Sequence, residues 1–261
     1  MTKRRALGQH FLRDPSIARA IVDLVAPTER DLVVEIGPGD GALTSIVAGR
    51  AGRVIALEID RALAAALRAR LPAVEVLEAD ARGWGYAGLT APAGGRVLIL
   101  GNLPYSVGKP ILMSLIGARR AIQEMALMLQ REVAERIAAP PGGKTYGSLS
   151  IFTQLHCDVR LAFRVPPGAF RPPPKVDSAV LHLRVLPQPR VPLADPRRFE
   201  SVVRAAFAQR RKMLANALGA GLGLPLDVVR SAATAGGVDP TRRAETLTLA
   251  EFAALTTALP S

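Results

Sequence analysis

The chain has 261 residues, 49% of them hydrophobic, and a formal net charge of +12. Its length allows a sizeable core in one large domain, or one large domain and a small one. A single cysteine, Cys157, excludes an intrachain disulfide, and with only three histidines no metal site is expected.

The basic excess points to a polyanion partner, most often nucleic acid. Only 5 of the 34 cations are lysine, so a GC-rich coding bias explains the arginine preference but not the excess itself. The start, "MTKRRALGQHFL", is basic with no apolar stretch behind it and does not read as a signal peptide. No apolar run reaches membrane-spanning length, so a soluble cytoplasmic protein without membrane contact is expected.

In chain order, Asp14 before Pro15 reads as an N-cap with proline in the first turn, and "SIARAIVDLVA" carries apolar residues at helical spacing. "LVVEI" (32–36) is a predicted strand, followed by a glycine loop and a helix, "ALTSIVAGR". "RVIALE" (53–58) is a strand, Asp60 an N-cap and "RALAAALRARL" its helix. Strands follow at "VEVLE" (74–78) and "RVLIL" (96–100), then a helix at "GKPILMSLIG". The alternation in "QEMALMLQ" (123–130) favours a strand, "REVAERIAA" a helix and "PPGGKTYG" a loop. "VRLAFRV" and "SAVLHLRVL" are late strands flanking the proline-rich "PPGAFRPPPK".

Strands alternating with helices imply an α/β fold with a doubly wound, mainly parallel sheet. Beyond about residue 191 only helices are predicted, and residues 181–261 carry 11 basic against 6 acidic residues, a denser positive charge than the rest. The expected division is a catalytic domain over 1–187 and a small all-helical domain over 188–261.

"VVEIGPGDGA" has two ligand readings. Gly37-x-Gly39-x-x-Ala42, with Glu58 about 20 residues on, satisfies the dinucleotide fingerprint. Glu35-x-Gly37-x-Gly39-x-Gly41 equally fits a loop that binds S-adenosylmethionine. Both ligands carry an adenosine, and a plain tight turn remains a third reading. Asp80 in "LEAD", at the end of the third strand, could accept the amine hydrogens of a cofactor adenine. The "NLPY" after the fourth strand has no use in hydride transfer.

That tip suits methyl transfer to a nucleobase amine. The amine's lone pair is delocalised into the ring, and two acceptors aimed at its N–H groups would free it to attack a methyl group. Asn102 supplies a side-chain oxygen and Leu103 a backbone carbonyl. Pro104 restrains Leu103 to an extended conformation, so the carbonyl is held in place in advance. Tyr105 offers a stacking ring, worth about 1–3 kcal/mol.

With these residues the sequence resembles the KsgA/Erm family of rRNA adenine N6-methyltransferases, and within it the KsgA type. The matching stretches cover nearly the whole chain: "LGQHFL" (7–12), "VVEIGPGDGALT" (33–44), "ALEID" (56–60), "EAD" (78–80), "GNLPY" (101–105), "LQREVAERI" (129–137), "YGSLS" (146–150), "FRPPPKVDSAV" (170–180) and "FAQRRKMLANAL" (207–218).

The resemblance implies a Rossmann-like class I methyltransferase sheet with a helical rRNA-binding domain. The implied activity is S-adenosylmethionine-dependent dimethylation of two adjacent adenosines in the 3′-terminal hairpin loop of small-subunit rRNA, with S-adenosylhomocysteine as product. A role in small-subunit biogenesis goes with it, and the partner would be the rRNA or a small-subunit precursor, met by a monomer.

By the same resemblance, His10, Leu12, Gly37, Gly39, Gly41, Glu58, Ile59, Asp80, Ala81 and Asn102 would surround the cofactor, Glu58 on its ribose and Asp80 on its adenine. Position 10, often Asn in that family, is His here. Asn102 and the Leu103 carbonyl, restrained by Pro104, would hold the target amine, with Tyr105 and Phe170 sandwiching a flipped base. Arg171, Lys175, Arg210, Arg211 and Lys212 would contact RNA phosphates. The rivals are an Erm-type methyltransferase of large-subunit rRNA, a mainly non-catalytic ribosome-assembly factor and a nicotinamide oxidoreductase.

Overall fold

The computed structural model describes residues 10–260; the basic start and residues 7–9 of "LGQHFL" lie outside them. The chain divides into two compact units, one of residues up to 134 with 158–185, the other of 135–157 with 186 onward.

The first unit begins with a two-residue strand, β1 (Phe11–Leu12), and helix α1 (Pro15–Val25). Asp14 caps α1, its carboxylate accepting from the N–H groups of Ser16 and Ile17. Then come β2 (Leu32–Ile36), α2 (Thr44–Val47), β3 (Arg53–Glu58), α3 (Arg61–Arg70), β4 (Glu75–Glu78) and β5 (Val97–Asn102). α4 (Gly108–Gly117), β6 (Glu124–Gln130) and α5 (Arg131–Ala138) follow, and after α6 (Ser148–Gln154) come β7 (Cys157–Val165), β8 (Phe170–Arg171) and β9 (Ser178–Val185).

Seven strands form one sheet in the order β4-β3-β2-β5-β6-β9-β7, and β1 pairs with β8 apart from it. β4, β3, β2, β5 and β6 are parallel, and β9 runs antiparallel to β6. The central strands read as continuous apolar runs because helices cover both faces. Ile21 and Val22 of α1 pack with Val33, Leu98, Ala126 and Met128 of the sheet in one buried cluster.

This order positions the site. From β2 the chain winds outward to β3 and β4, then returns to the other side of β2 as β5. The C-terminal ends of β2 and β5, with Ile36 opposite Gly101, therefore flank the point where the winding reverses. Open α/β sheets bind ligands in the crevice that such a reversal leaves.

In the second unit, α6 joins α7 (Pro196–Ala208), α8 (Leu214–Leu222), α9 (Leu226–Ala235) and α10 (Leu249–Ala258). Asp195 caps α7, and Thr248 and Glu251 form a capping box on α10. Residues 135–157 fall with these helices rather than with the sheet, a difference from the division expected at 187/188. The reason is local: the Tyr146 ring lies edge-on to Phe207 at 6.2 Å, and Gly142 N–H donates to the Glu245 carbonyl at 2.7 Å. Among the described residues no helix is long and apolar enough to cross a membrane.

Candidate active site

A cavity of about 310 Å³ opens at the reversal point, a size ordinary for small-molecule sites. Its wall is built from the ends of β2, β3 and β5, the loop after β4 and the segment around β1. The glycine loop bends through left-handed backbone at Gly37, Gly39 and Gly41, with φ of +66°, +57° and +79°. A side chain on Gly39 would strike the Phe11 ring at 2.9 Å, so the loop and β1 close the cavity only because this position is bare. Gly41 packs against Leu67 of α3 and is off the wall.

Glu58 ends β3 and is 3% exposed. Its two carboxylate oxygens accept from Gly39 N–H at 3.0 Å and Asp60 N–H at 2.9 Å, fixing the loop to the strand. Burial pushes its carboxyl above the usual range, and these N–H groups oppose the rise. Asp80, half exposed, is forked by the Arg82 guanidinium with Nε at 2.9 Å, which holds its carboxyl below the usual range. Ile59, next to Glu58 in the chain, is an exposed apolar side chain on the same wall, 52% accessible.

At the other end, Asn102 is the last residue of β5, still in register with Met128 of β6. Its Nδ2 donates to the His10 carbonyl at 3.0 Å. A carbonyl only accepts, so that contact settles which end of the amide carries the hydrogens and leaves Oδ1 as an acceptor beside the cavity. Leu103 N–H donates to the Met128 carbonyl at 3.0 Å, while no donor among the described residues pairs with the Leu103 carbonyl. The Pro104 carbonyl accepts from Val107 and Gly108, closing the turn into α4. The Tyr105 hydroxyl lies 2.7 Å from Ser178 Oγ, and its ring is 5.8 Å from the His10 ring at a 31° tilt. His10 Nδ1 donates to the Pro172 carbonyl at 2.7 Å, so Nδ1 carries a hydrogen.

A sequence model described as "Ribosomal RNA adenine dimethylase" matches residues 1–259. The chain belongs to that family. Among its relatives, "Ribosomal RNA small subunit methyltransferase A" of Geobacter metallireducens is 44% identical over 98% of this chain and 95% of its own length. The protein of the same name from Anaeromyxobacter sp. is 45% identical over 97% and 92%. Among solved structures, a dimethyladenosine transferase from Plasmodium falciparum superposes with a TM-score of 0.78 at 25% identity, covering 94% of this chain and 96% of that one. The 23S rRNA methyltransferase ErmE gives 0.72 at 26% identity, covering 95% and 99%.

Of the residues expected at the site of this dimethylase-family chain, His10, Leu12, Gly37, Gly39, Glu58, Ile59, Asp80, Ala81 and Asn102 through Tyr105 line the one cavity. Phe170 does not. Its backbone pairs with Leu12, which turns the ring into the core beside Leu12, Val165 and Val180, and it is 2% exposed. In this conformation it offers no face to a base. Arg171 and Lys175 next to it are exposed.

The basic run after α7 also divides. All three residues are exposed, but the Arg210 guanidinium donates to the carbonyls of Lys144 (2.8 Å) and Tyr146 (3.0 Å), a structural use within its unit. Replacing Arg211 and Lys212 together by alanine should reduce the slope of log K against log salt for rRNA binding by about 1–2. Arg210→Ala should instead lower the melting temperature, read by thermal denaturation, and leave that slope unchanged.

Three charged wall residues, Glu35, Asp40 and Arg82, were not among the residues expected at the site. Arg82 gave no signal beyond adjacency to Asp80. Glu35 did: it is the one charged residue in the otherwise apolar strand "LVVEI", and such a residue is either paired or poised for a ligand.

Proposed function

We propose that this chain transfers methyl groups from S-adenosylmethionine to the N6 amines of two adjacent adenosines near the 3′ end of small-subunit rRNA, giving dimethyladenosine. The chemistry rests above all on the orientation of Asn102. Its N–H is engaged by the His10 carbonyl, so its oxygen is the group presented to an incoming amine. The choice of small-subunit RNA is supported by relatives of that name at 44–45% identity across nearly the full chain.

The residues present fit the cofactor. An acid-lined pocket end formed by Glu35, Asp40 and Glu58 suits the cationic methionine portion. The free lone pairs of Glu58 would take the ribose hydroxyls. Ile59 gives an open apolar surface for the adenine, and Asp80 an acceptor for its amine. S-adenosylmethionine supplies an electrophilic methyl group on a sulfonium centre.

The chain's own residues then orient the acceptor. Asn102 Oδ1 and the Leu103 carbonyl accept the two amine hydrogens and draw the nitrogen toward a tetrahedral form. Both groups are held in advance, by the His10 carbonyl and by the Met128 ladder bond, so little reorganisation accompanies the reaction. With the amine so oriented, the N–C bond would form as the S–C bond of the cofactor breaks, its electron pair staying on sulfur, and the surplus proton would pass to water. Tyr105 stacks on the flipped base, its ring anchored by Ser178. Phe170 can form the second wall only by leaving the core. Arg171, Lys175, Arg211 and Lys212 are exposed cations suited to the RNA backbone.

The test is incubation with labelled S-adenosylmethionine and two substrates, small subunits lacking adenine methylation and protein-free large-subunit rRNA, followed by digestion to nucleosides. Label in dimethyladenosine from the small subunit alone is expected. Label in the large-subunit RNA alone would assign the chain to the activity that ErmE's name describes. Label in neither, with cofactor bound, would leave an assembly role.

A further inference from the structure

Three carboxylates, Glu35, Asp40 and Glu58, line the same end of the cavity, and two of them are compensated. Asp40 is paired with Arg13 at 2.9 Å, and Glu58 takes two backbone N–H bonds. Glu35 is different. It sits near the end of β2, 1% exposed, and its Oε2 has no hydrogen-bond partner among the described residues. The charged groups that face it are Glu58 from β3 and Asp40 from the glycine loop, both acidic; from α2 it meets the neutral Thr44 hydroxyl. Arg82, also on the wall, is already forked onto Asp80.

An ionised carboxylate held there without a cation would be desolvated and repelled at once. Burial pushes the Glu35 carboxyl up to about 8, the charges of Glu58 and Asp40 add to the rise, and the Thr44 hydroxyl opposes it. Near neutral pH the group is therefore mostly protonated until a cation arrives.

We propose that Glu35 is a proton-exchanging counter-ion, neutral in the free protein and ionised when the cationic methionine end of the cofactor enters. It rests on the cofactor reading above. The proton goes to the buffer, and the new carboxylate pairs with the cation.

The sign follows from linkage. Binding releases a proton only where Glu35 is protonated in the free protein and ionised in the complex. Below about pH 8 each unit fall in pH should weaken binding about tenfold through this group alone, until the pH reaches the lower pKa of the complex. Above that pH Glu35 is already ionised and contributes no slope.

The experiment is calorimetric titration of S-adenosylmethionine into the protein in buffers of different ionisation enthalpy. At about pH 7 the wild type should release close to one proton more than Glu35→Gln, and the difference should vanish above about pH 9. The ligand's own amine titrates in a similar range but is common to both proteins, so the difference isolates Glu35. Repeating with S-adenosylhomocysteine locates the cation: a difference with both ligands supports pairing with the ammonium, a difference only with S-adenosylmethionine supports pairing with the sulfonium. Equal proton release by the two proteins, with binding intact, would overturn the proposal. Absence of binding to the wild type would overturn the cofactor reading and this inference with it.

Should Glu35→Gln not fold, infrared difference spectra of the wild type carry the test. Loss of a protonated-carboxyl C=O band on adding the cofactor at about pH 7 is expected. Absence of that band in the free protein overturns the proposal.

Discussion

Asn102→Ala should lose methyl transfer by about 10²–10³-fold, through the turnover number, while S-adenosylmethionine affinity stays within roughly threefold. The truncation removes the side-chain oxygen proposed to accept from the amine. It also removes a hydrogen bond to the His10 carbonyl, a loss of about 1 kcal/mol in stability that should lower the melting temperature by only about 2–4 °C. The amide's two ends have separate duties, so Asn102→Asp discriminates further. A carboxylate keeps an acceptor but cannot donate to His10, and it should restore little activity. Single-turnover methylation of undermethylated small subunits, beside calorimetric cofactor binding, reads both quantities. Transfer by Asn102→Ala at near wild-type rates would show that the amine is held by something else.

The placement of Asn102 also shows how far the sequence alone could go. The strand was expected over 96–100 with the polar tip hanging from it. The ladder in fact continues through Gly101 and Asn102, so the amide sits on a rigid strand end rather than in a loop. Short apolar runs gave the strands at 32–36 and 53–58 with their observed limits, because a buried parallel strand bounded by turn residues has a clear local signature.

Features set by distant partners left no such trace. The pairing of β1 with β8 joins two dipeptides far apart in the chain, and only that pairing shows why Phe170 is turned inward. The helix at 148–154 has five consecutive buried residues, Leu149 to Thr153, so it lacks the one-sided stripe by which helices are recognised. Arg210 reads as one of three equivalent cations until the two carbonyls it bonds are seen. The cavity-lining residues were legible because the glycine motif, the acids at strand ends and the family resemblance pick them out locally. The use of each basic side chain was not, because arginine geometry is decided by tertiary neighbours.

At the opposite ends of the same strands, Asp31→Ala should cost about 3 kcal/mol of stability and lower the melting temperature by roughly 6–12 °C. Asp31 precedes β2 and is 2% exposed. Its carboxylate accepts from Thr28 N–H at 2.9 Å, the Thr28 hydroxyl at 3.0 Å, Arg96 N–H at 2.8 Å and Arg96 Nη2 at 2.8 Å. Arg96 precedes β5 and extends the network to the Ala26 carbonyl behind α1 and to Glu124 of β6, which in turn meets His182 and Arg184 of β9. One carboxylate thus ties the starts of β2 and β5, the two strands whose far ends carry the glycine loop and Asn102. Alanine would leave two backbone donors and a guanidinium without their acceptor. The Arg96 side chain is 37% exposed, and water re-solvating it keeps the cost near the low end for a broken buried pair.

The pH dependence carries its own sign. Hydrogen bonds from Arg96 and Thr28 outweigh burial and hold the Asp31 carboxyl down to about 2. Its stabilisation is therefore present above the ordinary carboxylate range near pH 4 and is lost as pH falls toward 2. The difference in stability between wild type and Asp31→Ala should narrow over that window, in thermal or urea unfolding followed by circular dichroism. Because the network lies away from the cavity, methyl transfer per folded molecule should be unchanged well below the melting temperature. A variant that melts within about 2 °C of wild type would mean that the strand starts are held by packing alone.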